Sequence, residues 1–387
     1  MSDPVENGTG RRLPSLGRRG FLRSATLATG APALLAGTAS AGPRGEGPGA
    51  VAEAAGAAVA GAVGSVVQLM GVARDRRDVS WIRSALQAAV ELELATIPPY
   101  LCGWWSIRDR SGEPARLIER IIADEMYHMG LACNLLVAVG GSPKITAAVP
   151  TYPGPLPGGV RSGLTVYLSG LTKPYVRDVL MGIETPEAPL TREVGPPTIG
   201  AFYDALLAAF RAVRPAVSEA GQLTLRIGPN RLTRVRGLGG VETAIRTIKE
   251  QGEGTSASPD EPFGDDFPAH YYAFGEIYHE RRLRQTGRAW EYSGEAVPFP
   301  DTRPMGVVPP GGWPSPPDEV RQLLRQFDET FARVLEGLET AWERGDRDAL
   351  DDAVYAMFHL EAPAIRLMGI ALPDGTGTYG PEFRPVR

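Results

Sequence analysis

The chain has 387 residues, of which 43% are hydrophobic and 22% are charged, enough for one large domain or two of ordinary size. Its formal net charge is -5, with acidic and basic residues mixed along the chain. The sequence has no basic stripe of the kind that nucleic-acid binding requires, so we expect no nucleic-acid partner.

The N-terminus has the pattern of a twin-arginine export signal. Arg18-Arg19-Gly20-Phe21-Leu22 places the arginine pair before an aromatic residue and a leucine, and an Ala-rich apolar stretch follows over residues 25–36. Ala39-Ser40-Ala41 then matches a small-x-small cleavage site. We therefore expect residues 1–41 to be a signal peptide that the twin-arginine machinery recognises. The mature protein would be periplasmic or extracellular.

Residues 42–75 are rich in Gly and Ala, and their composition predicts a linker outside the main fold. Glu53 and several glycines interrupt the apolar stretch, so no stable membrane span is expected after cleavage. The main domain is then predicted to occupy residues 76–375.

Two long helices are predicted at the start of this domain. The first covers residues 80–107, with Ser80 as a candidate N-cap. The second covers residues 114–139; it begins with a proline and ends at Gly140-Gly141. These start and stop signals predict an antiparallel pair of helices.

The remainder of the domain is predicted to be mostly helical, with long Pro/Gly-rich connections such as residues 142–197. The pattern therefore predicts a mostly α helical bundle with decorated loops and extra C-terminal helices. The further predicted segments are helices over residues 175–183, 199–213, 241–251, 269–284, 318–344 and 348–369, and a short hairpin over residues 223–235.

Two metal-binding residue types interrupt the apolar stripe of the second helix. Glu125 and His128 lie one turn apart on the face that also carries Ile121 and Leu135. An unpartnered carboxylate is costly to bury, so Glu125 requires a cation or a proton. A Glu-x-x-His pair on a bundle helix is the usual donor set of di-iron and di-manganese carboxylate sites. The alternative is a buried hydrogen bond or ion pair without a metal.

The first helix supplies a second inward carboxylate. Glu93 shares an apolar stripe with Leu86 and Ile97, whereas Glu91 falls on a polar face. At a rise of about 1.5 Å per residue, Glu93 and Glu125 lie at similar depth in an antiparallel hairpin. This pairing favours a metal site over an isolated ion pair.

The residues opposite this pair remain open at the level of the sequence. His270 and His279 lie on one predicted helix, and Glu276 and His279 form a second Glu-x-x-His pair. The preceding helix ends near Glu250 and Glu253, and a short return would bring these acids near the start of the next helix, which favours His270. The predicted metal ligands are Glu93, Glu125, His128, Glu253, His270 and Glu276, with Glu250 and His279 as alternatives.

Several runs, in this order, resemble the ferritin-like domain of iminophenyl-pyruvate dimer synthases, which act in bacterial pathways to violacein and the indolocarbazoles. The resemblance covers roughly residues 80–300. The runs are Glu93-Leu94-Ala95-Thr96-Ile97-Pro98-Pro99-Tyr100-Leu101, Glu125-Met126-Tyr127-His128-Met129, Asn134-Leu135-Leu136, Tyr152-Pro153-Gly154, Ile183-Glu184, Thr198-Ile199-Gly200, Gln251-Gly252-Glu253-Gly254 and His270-Tyr271.

The resemblance implies a ferritin-like four-helix bundle and a chemistry that couples imines derived from aromatic amino acids. Those synthases are cytoplasmic, whereas this chain carries an export pattern. We therefore expect an exported non-haem dimetal protein that oxidises or couples a small amine- or imine-type substrate with dioxygen or peroxide. Two iron ions are expected by analogy with the bundle class. The alternative is a metal-binding or storage protein without an organic substrate.

Overall fold

The computed structural model describes residues 65–186, 198–253, 267–287 and 289–384. The predicted signal peptide, residues 1–41, and the first part of the predicted linker lie outside the described residues. What is described is mostly helical, with long irregular connections and two small hairpins. The predicted fold class is therefore confirmed.

The elements are numbered in chain order. The strands pair as two antiparallel hairpins, β1 (Leu225–Ile227) with β2 (Asn230–Leu232) and β3 (Arg281–Thr286) with β4 (Ala289–Ala296). A π-helical turn, Val176–Leu180, joins α4 to α5. The helices are α1 (Val66–Gly71), α2 (Val79–Ser106), α3 (Glu113–Ala138), α4 (Lys173–Tyr175), α5 (Met181–Glu184), α6 (Ile199–Val213), α7 (Gly237–Glu253), α8 (His270–His279), α9 (Asp318–Arg344), α10 (Arg347–Met357) and α11 (Glu361–Leu367).

Helix α2 is the centre of the fold. Every residue from Leu92 to Ser106 is buried, as expected for a helix that is apolar on all sides. It begins one residue earlier than predicted, because Asp78 caps it by accepting a hydrogen bond from the Trp81 backbone N–H at 2.8 Å. Ser80, the predicted cap, lies inside the first turn. Helix α3 packs along α2 as the predicted antiparallel partner.

Helices α6 and α7 pack against each other and complete a bundle with the α2–α3 pair. Helix α6 contacts α2, and α7 contacts α3. Helix α8 then packs against α3, α7 and α5. Helices α9, α10 and α11 form the extra C-terminal layer that was predicted.

Two predicted helices differ from the observed ones, since one is too long and the other is divided in two. The helix predicted over residues 269–284 stops at His279, because Glu280 adopts a left-handed conformation with φ 58° and the chain turns into the β3–β4 hairpin. The helix predicted over residues 348–369 is divided into α10 and α11. Pro363 explains the division, since it lacks the N–H that a continuous helix would use.

Part of the predicted linker belongs to the folded domain. Val66 and Leu69 of α1 are buried, and the Trp81 indole N–H donates to the Leu69 carbonyl at 2.9 Å. At the other end, Tyr379 and Phe383 are also buried, so packing continues beyond residue 375. In the parts of the chain that the structure describes, no helix is both long enough and apolar enough to cross a membrane.

Candidate metal centre

The α2–α3 pair brings three predicted ligands together. Glu93, Glu125 and His128 are all buried, and the Nδ1 atom of His128 lies 3.6 Å from Glu93 Oε2 and 3.6 Å from Glu125 Oε1. Glu91 is only half-buried and lies outside this group. The apolar stripes of the two helices therefore position these side chains as predicted from their spacing.

A hydrogen bond on the outer side of the His128 ring shows which of its two nitrogens carries a proton. Its Nε2 atom lies 2.7 Å from Gln251 Oε1, and an amide oxygen can only accept a hydrogen bond. The Nε2 proton therefore points at Gln251, and Nδ1 is the nitrogen that faces Glu93 and Glu125. Because it faces two carboxylate oxygens, Nδ1 requires either a proton of its own or a metal ion between them.

A second group shares Glu125. His270, from the first turn of α8, has its Nδ1 atom 2.8 Å from Glu125 Oε1 and 3.6 Å from Glu184 Oε1. The rings of His128 and His270 are stacked with their centroids 5.6 Å apart. Among the described residues, the potential ligand atoms within each group, Glu93–Glu125–His128 and Glu125–Glu184–His270, lie within 4.8 Å of one another.

The state of His270 tests whether these residues fit metal ions. Its ring is 1% exposed, yet neither ring nitrogen has a hydrogen bond of acceptable geometry among the described residues. Its Nδ1 atom faces carboxylate oxygens of Glu125 and Glu184, an arrangement that requires a proton or a metal ion on that nitrogen. Imidazole with carboxylate is a donor set suited to first-row transition metals. The residues therefore fit a dimetal centre.

Hydroxyl groups fix the carboxylates in place. The Tyr203 hydroxyl donates to Glu93 Oε1, and the Thr96 hydroxyl donates to Glu125 Oε2 at 2.8 Å. The other oxygen of Glu93 faces His128, and the other oxygen of Glu125 faces both His128 and His270. The Tyr100 hydroxyl donates to Glu184. These buried donors orient the carboxylates before any ion binds.

Comparison with known proteins identifies the family. The family description that matches this sequence is "Ferritin-like", and the match spans residues 86–279, half of the chain. The chain belongs to the ferritin-like family. The crystal structure of a ferritin-like protein from Caulobacter vibrioides is similar, with a TM-score of 0.55 at 24% sequence identity. The alignment covers 79% of this chain and 97% of that one, and it supports the fold alone. No curated protein matches the sequence.

The second group differs from the usual ferritin-like arrangement, in which each histidine follows a glutamate by three residues. His128 follows Glu125 in this way, but the residue three positions before His270 is Phe267. The carboxylate beside His270 comes instead from Glu184, at the end of α5. The ferritin-like centre of this chain therefore draws its second half from separate segments.

Burial and charge determine where protons lie in the metal-free centre. Burial by itself would lower the pKa of His128, but its contacts with Glu125 and Glu93 outweigh burial and raise that pKa to about 10. The pKa of His270 is also raised, because Asp124, Glu125 and Glu184 outweigh burial. Burial raises the pKa of Glu93, whereas the two histidines hold the pKa of Glu125 well below its usual range despite burial. Protons on the imidazoles thus occupy the place that metal ions would take.

Three other predicted candidates do not join either group. Glu276 is buried, but its carboxylate accepts hydrogen bonds from the Leu283 backbone N–H and from Arg282, each at 2.8 Å. His279 is exposed and stacks on Tyr292 at a centroid distance of 4.3 Å.

The third, Glu250, is partly buried, and its carboxylate lies 4.0 Å from the guanidinium of Arg246. The side chain of Glu253 lies outside the described residues, so its ligand role stays a prediction. Its neighbour Gly252 lies against the centre, since a Cβ there would be 3.5 Å from Glu184 Oε2.

Glu184 is the site residue that sequence patterning missed. It follows a short helix predicted over residues 175–183, in a region interrupted by proline and glycine. The π-helical turn Val176–Leu180 inserts an extra residue per turn, so stepping by three and four residues does not carry through to Glu184. The run Ile183-Glu184, which resembles the dimer synthases, was the signal that could have identified it.

A small cavity opens beside the centre. It measures about 30 Å³, which is room for about two water-sized molecules. Its wall includes the carboxylate-bearing residues Glu93 and Glu125, together with His128, but not His270. The apolar and polar residues that complete the wall are Leu92, Thr96, Ile183, Glu184, Ile199, Gly200, Tyr203, Ile248, Lys249 and Gly252.

Proposed function

We propose that this protein is an exported, non-haem dimetal oxidoreductase that holds two iron ions and oxidises or couples a small amine- or imine-type substrate. The observation that carries the proposal is Glu125, whose carboxylate is shared by two buried Glu/His groups. Two ions that shared this carboxylate would lie close together, which is the arrangement that dimetal redox chemistry requires.

The residues that would hold the ions follow from the two groups. Glu93, Glu125 and His128 would hold one ion, and Glu125, Glu184 and His270 the other. When bound, the ions would supply electrons to dioxygen or peroxide. The side chains keep the donors oriented through the Tyr, Thr and Gln hydrogen bonds described above, and the three glutamates offset most of the charge of two divalent ions.

The cavity supports chemistry with a small oxidant. Its volume of about 30 Å³ suits a molecule the size of dioxygen or peroxide next to Glu93 and Glu125. Leu92, Ile183 and Ile248 line it, and these apolar side chains limit the entry of bulk water. An organic substrate would approach from the same side, where Lys249 and Gly252 contribute to the wall.

Two finer parts of the proposal rest on the sequence. The amine or imine class of substrate is supported by the ordered runs that resemble iminophenyl-pyruvate dimer synthases. Export is supported by the twin-arginine pattern at Arg18-Arg19, because that route carries folded proteins with cofactors already loaded. Replacing both arginines by lysine would then retain the protein in the cytoplasm, as cell fractionation would measure. Unchanged export would contradict this part.

Metal content and oxygen uptake test the central proposal. Elemental analysis of purified protein should give about two iron ions per chain. An oxygen electrode should record uptake with aromatic amines or imines that chelation abolishes and iron reloading restores. Many irons per chain would instead indicate storage, and less than one would indicate a domain without a metal centre. Turnover that survives chelation would contradict the proposal.

A further inference from the structure

The two proposed metal positions have different surroundings on the outer side of their histidines. We propose that Asp124 makes the Glu125–Glu184–His270 position the tighter one, so that it fills first, and that the Glu93–Glu125–His128 position fills second. The proposal rests on the dimetal function proposed above. Asp124 and Gln251 act here as positioning residues, through His270 and His128.

The outer nitrogen of His270, Nε2, faces a carboxylate. Asp124 is fully buried, and its Oδ2 atom lies 3.5 Å from His270 Nε2. Once His270 Nδ1 holds a cation, the ring proton must lie on Nε2, and Asp124 is the acceptor that faces it. A carboxylate that accepts this proton makes the imidazole a more basic and stronger ligand.

The outer nitrogen of His128, Nε2, faces a neutral amide instead. Gln251 Oε1 lies 2.7 Å from His128 Nε2, so it orients the ring without adding a negative charge. Orientation alone leaves the ligand strength of His128 close to that of an ordinary imidazole. The difference between a carboxylate and an amide therefore distinguishes two positions whose inner ligands are otherwise of the same type.

Arg120 shares the Asp124 carboxylate with His270. Its Nε atom lies 3.0 Å from Asp124 Oδ1 and 2.8 Å from Oδ2, and the guanidinium stacks over the Phe267 ring at 4.9 Å. This pairing keeps Asp124 ionised inside the protein, because a buried carboxylate is stable as an anion only beside a positive charge. The contact between Asp124 and His270 lies wholly inside the protein, where charge acts more strongly.

One residue links the two outer contacts. Asn230, which begins β2, donates through Nδ2 to Asp124 and accepts at Oδ1 from Gln251 Nε2 at 3.5 Å. The contact pattern fixes which end of each amide faces which partner. The β1–β2 hairpin thus holds a carboxylate behind one histidine and an amide oxygen behind the other.

The cavity agrees with this division of roles. All three ligands of the Glu93–Glu125–His128 position line it, whereas Glu125 and Glu184 of the other position do so and His270 does not. The position proposed to fill second thus has its whole ligand set beside open space, as expected for an ion that keeps a coordination position for a reactant. The other position has its histidine away from the cavity, next to Asp124.

Titration of metal-free protein with Co²⁺ under anoxic conditions tests the proposal. Calorimetry should resolve two steps, and anomalous diffraction at one equivalent should place the ion among Glu125, Glu184 and His270. Asp124→Asn should weaken the first step by about 10–100-fold, the usual cost of losing an outer partner, with little effect on the second. Gln251→Glu should strengthen the second step, a gain that damage to the fold would not produce.

Two matched variants control for buried polar changes outside the centre. Asp328→Asn on α9 and Gln87→Glu on α2 should leave both steps unchanged. Occupancy of the Glu93–Glu125–His128 position at one equivalent would overturn the proposal, as would equal weakening of both steps by Asp124→Asn. If that variant does not fold, an unchanged second step in Gln251→Glu overturns it. Failure of the natural protein to bind Co²⁺ would overturn the dimetal function as well.

Discussion

Replacing Glu125 by Gln should remove both metal ions, because Glu125 is the one carboxylate that belongs to both groups. Glu93→Gln affects a residue of one group only, and should leave one ion bound. We expect metal content to fall from about two ions per chain to none in the first variant and to about one in the second. Elemental analysis after dialysis against metal-free buffer measures this difference.

The same variant has a calculable effect on the metal-free protein. Glu125 is buried between two imidazoles, with His270 Nδ1 at 2.8 Å and His128 Nδ1 at 3.6 Å. Removing one partner of a buried ion pair costs about 3–5 kcal/mol. His128 keeps Glu93, and His270 keeps Glu184 and Asp124, so we expect the lower end, about 3 kcal/mol of the free energy of unfolding. Urea denaturation of metal-free protein at neutral pH gives this value.

Glu276→Gln is the matched control, because Glu276 is also buried but binds Arg282 and the Leu283 backbone. It should lose stability and retain both ions. The rise in Tm that metal ions produce should therefore persist in Glu276→Gln and vanish in Glu125→Gln. Equal loss of metal from Glu93→Gln and Glu125→Gln, or loss from Glu276→Gln, would refute the shared-carboxylate geometry.

Three further predictions follow from individual residues. Because the pKa of His128 stands at about 10, metal binding at pH 7.5 should release protons, and calorimetry in buffers of different ionisation enthalpy should detect them; no buffer dependence would contradict this. Burial raises the pKa of Asp328 to about 7, so its ionisation lowers native stability as pH rises from about 4 to 7. Asp328→Asn should be less sensitive to pH over this range in urea titrations, and parallel curves would contradict that. Gly275→Ala should cost about 1–3 kcal/mol in thermal unfolding, since its Cβ would lie 2.0 Å from the Tyr292 hydroxyl oxygen; an unchanged Tm would refute that contact.

The α2–α3 half of the centre could be predicted because the spacing of residues along each helix determines which side chains face inward. Glu93, Glu125 and His128 lie on apolar stripes within two regular helices, and a period of 3.6 residues determines which face each side chain occupies. Two antiparallel helices joined by a short turn then align their middles. The structure brings these residues together as that reasoning requires.

Helical spacing could not decide which residues of α8 belong to the other half of the centre. Both His270 and His279 fit an apolar face, and Glu276 fits a Glu-x-x-His pair. The tertiary structure separates them, because α8 ends at His279 and the β3–β4 hairpin covers that end. Arg282 on that hairpin binds Glu276, and His279 is left on the surface.

The sequence by itself determined the bundle class, the two inward helices and the positions of Glu93, Glu125 and His128, since short-range periodicity encodes burial. It favoured His270 over His279 without deciding between them. Only the tertiary structure brought Glu184 to His270 and placed Asp124 and Gln251 behind the two histidines. These contacts join residues on separate segments, across a π-helical turn and a hairpin. The spacing of residues within one helix cannot predict such contacts, because they depend on how separate helices and strands pack together.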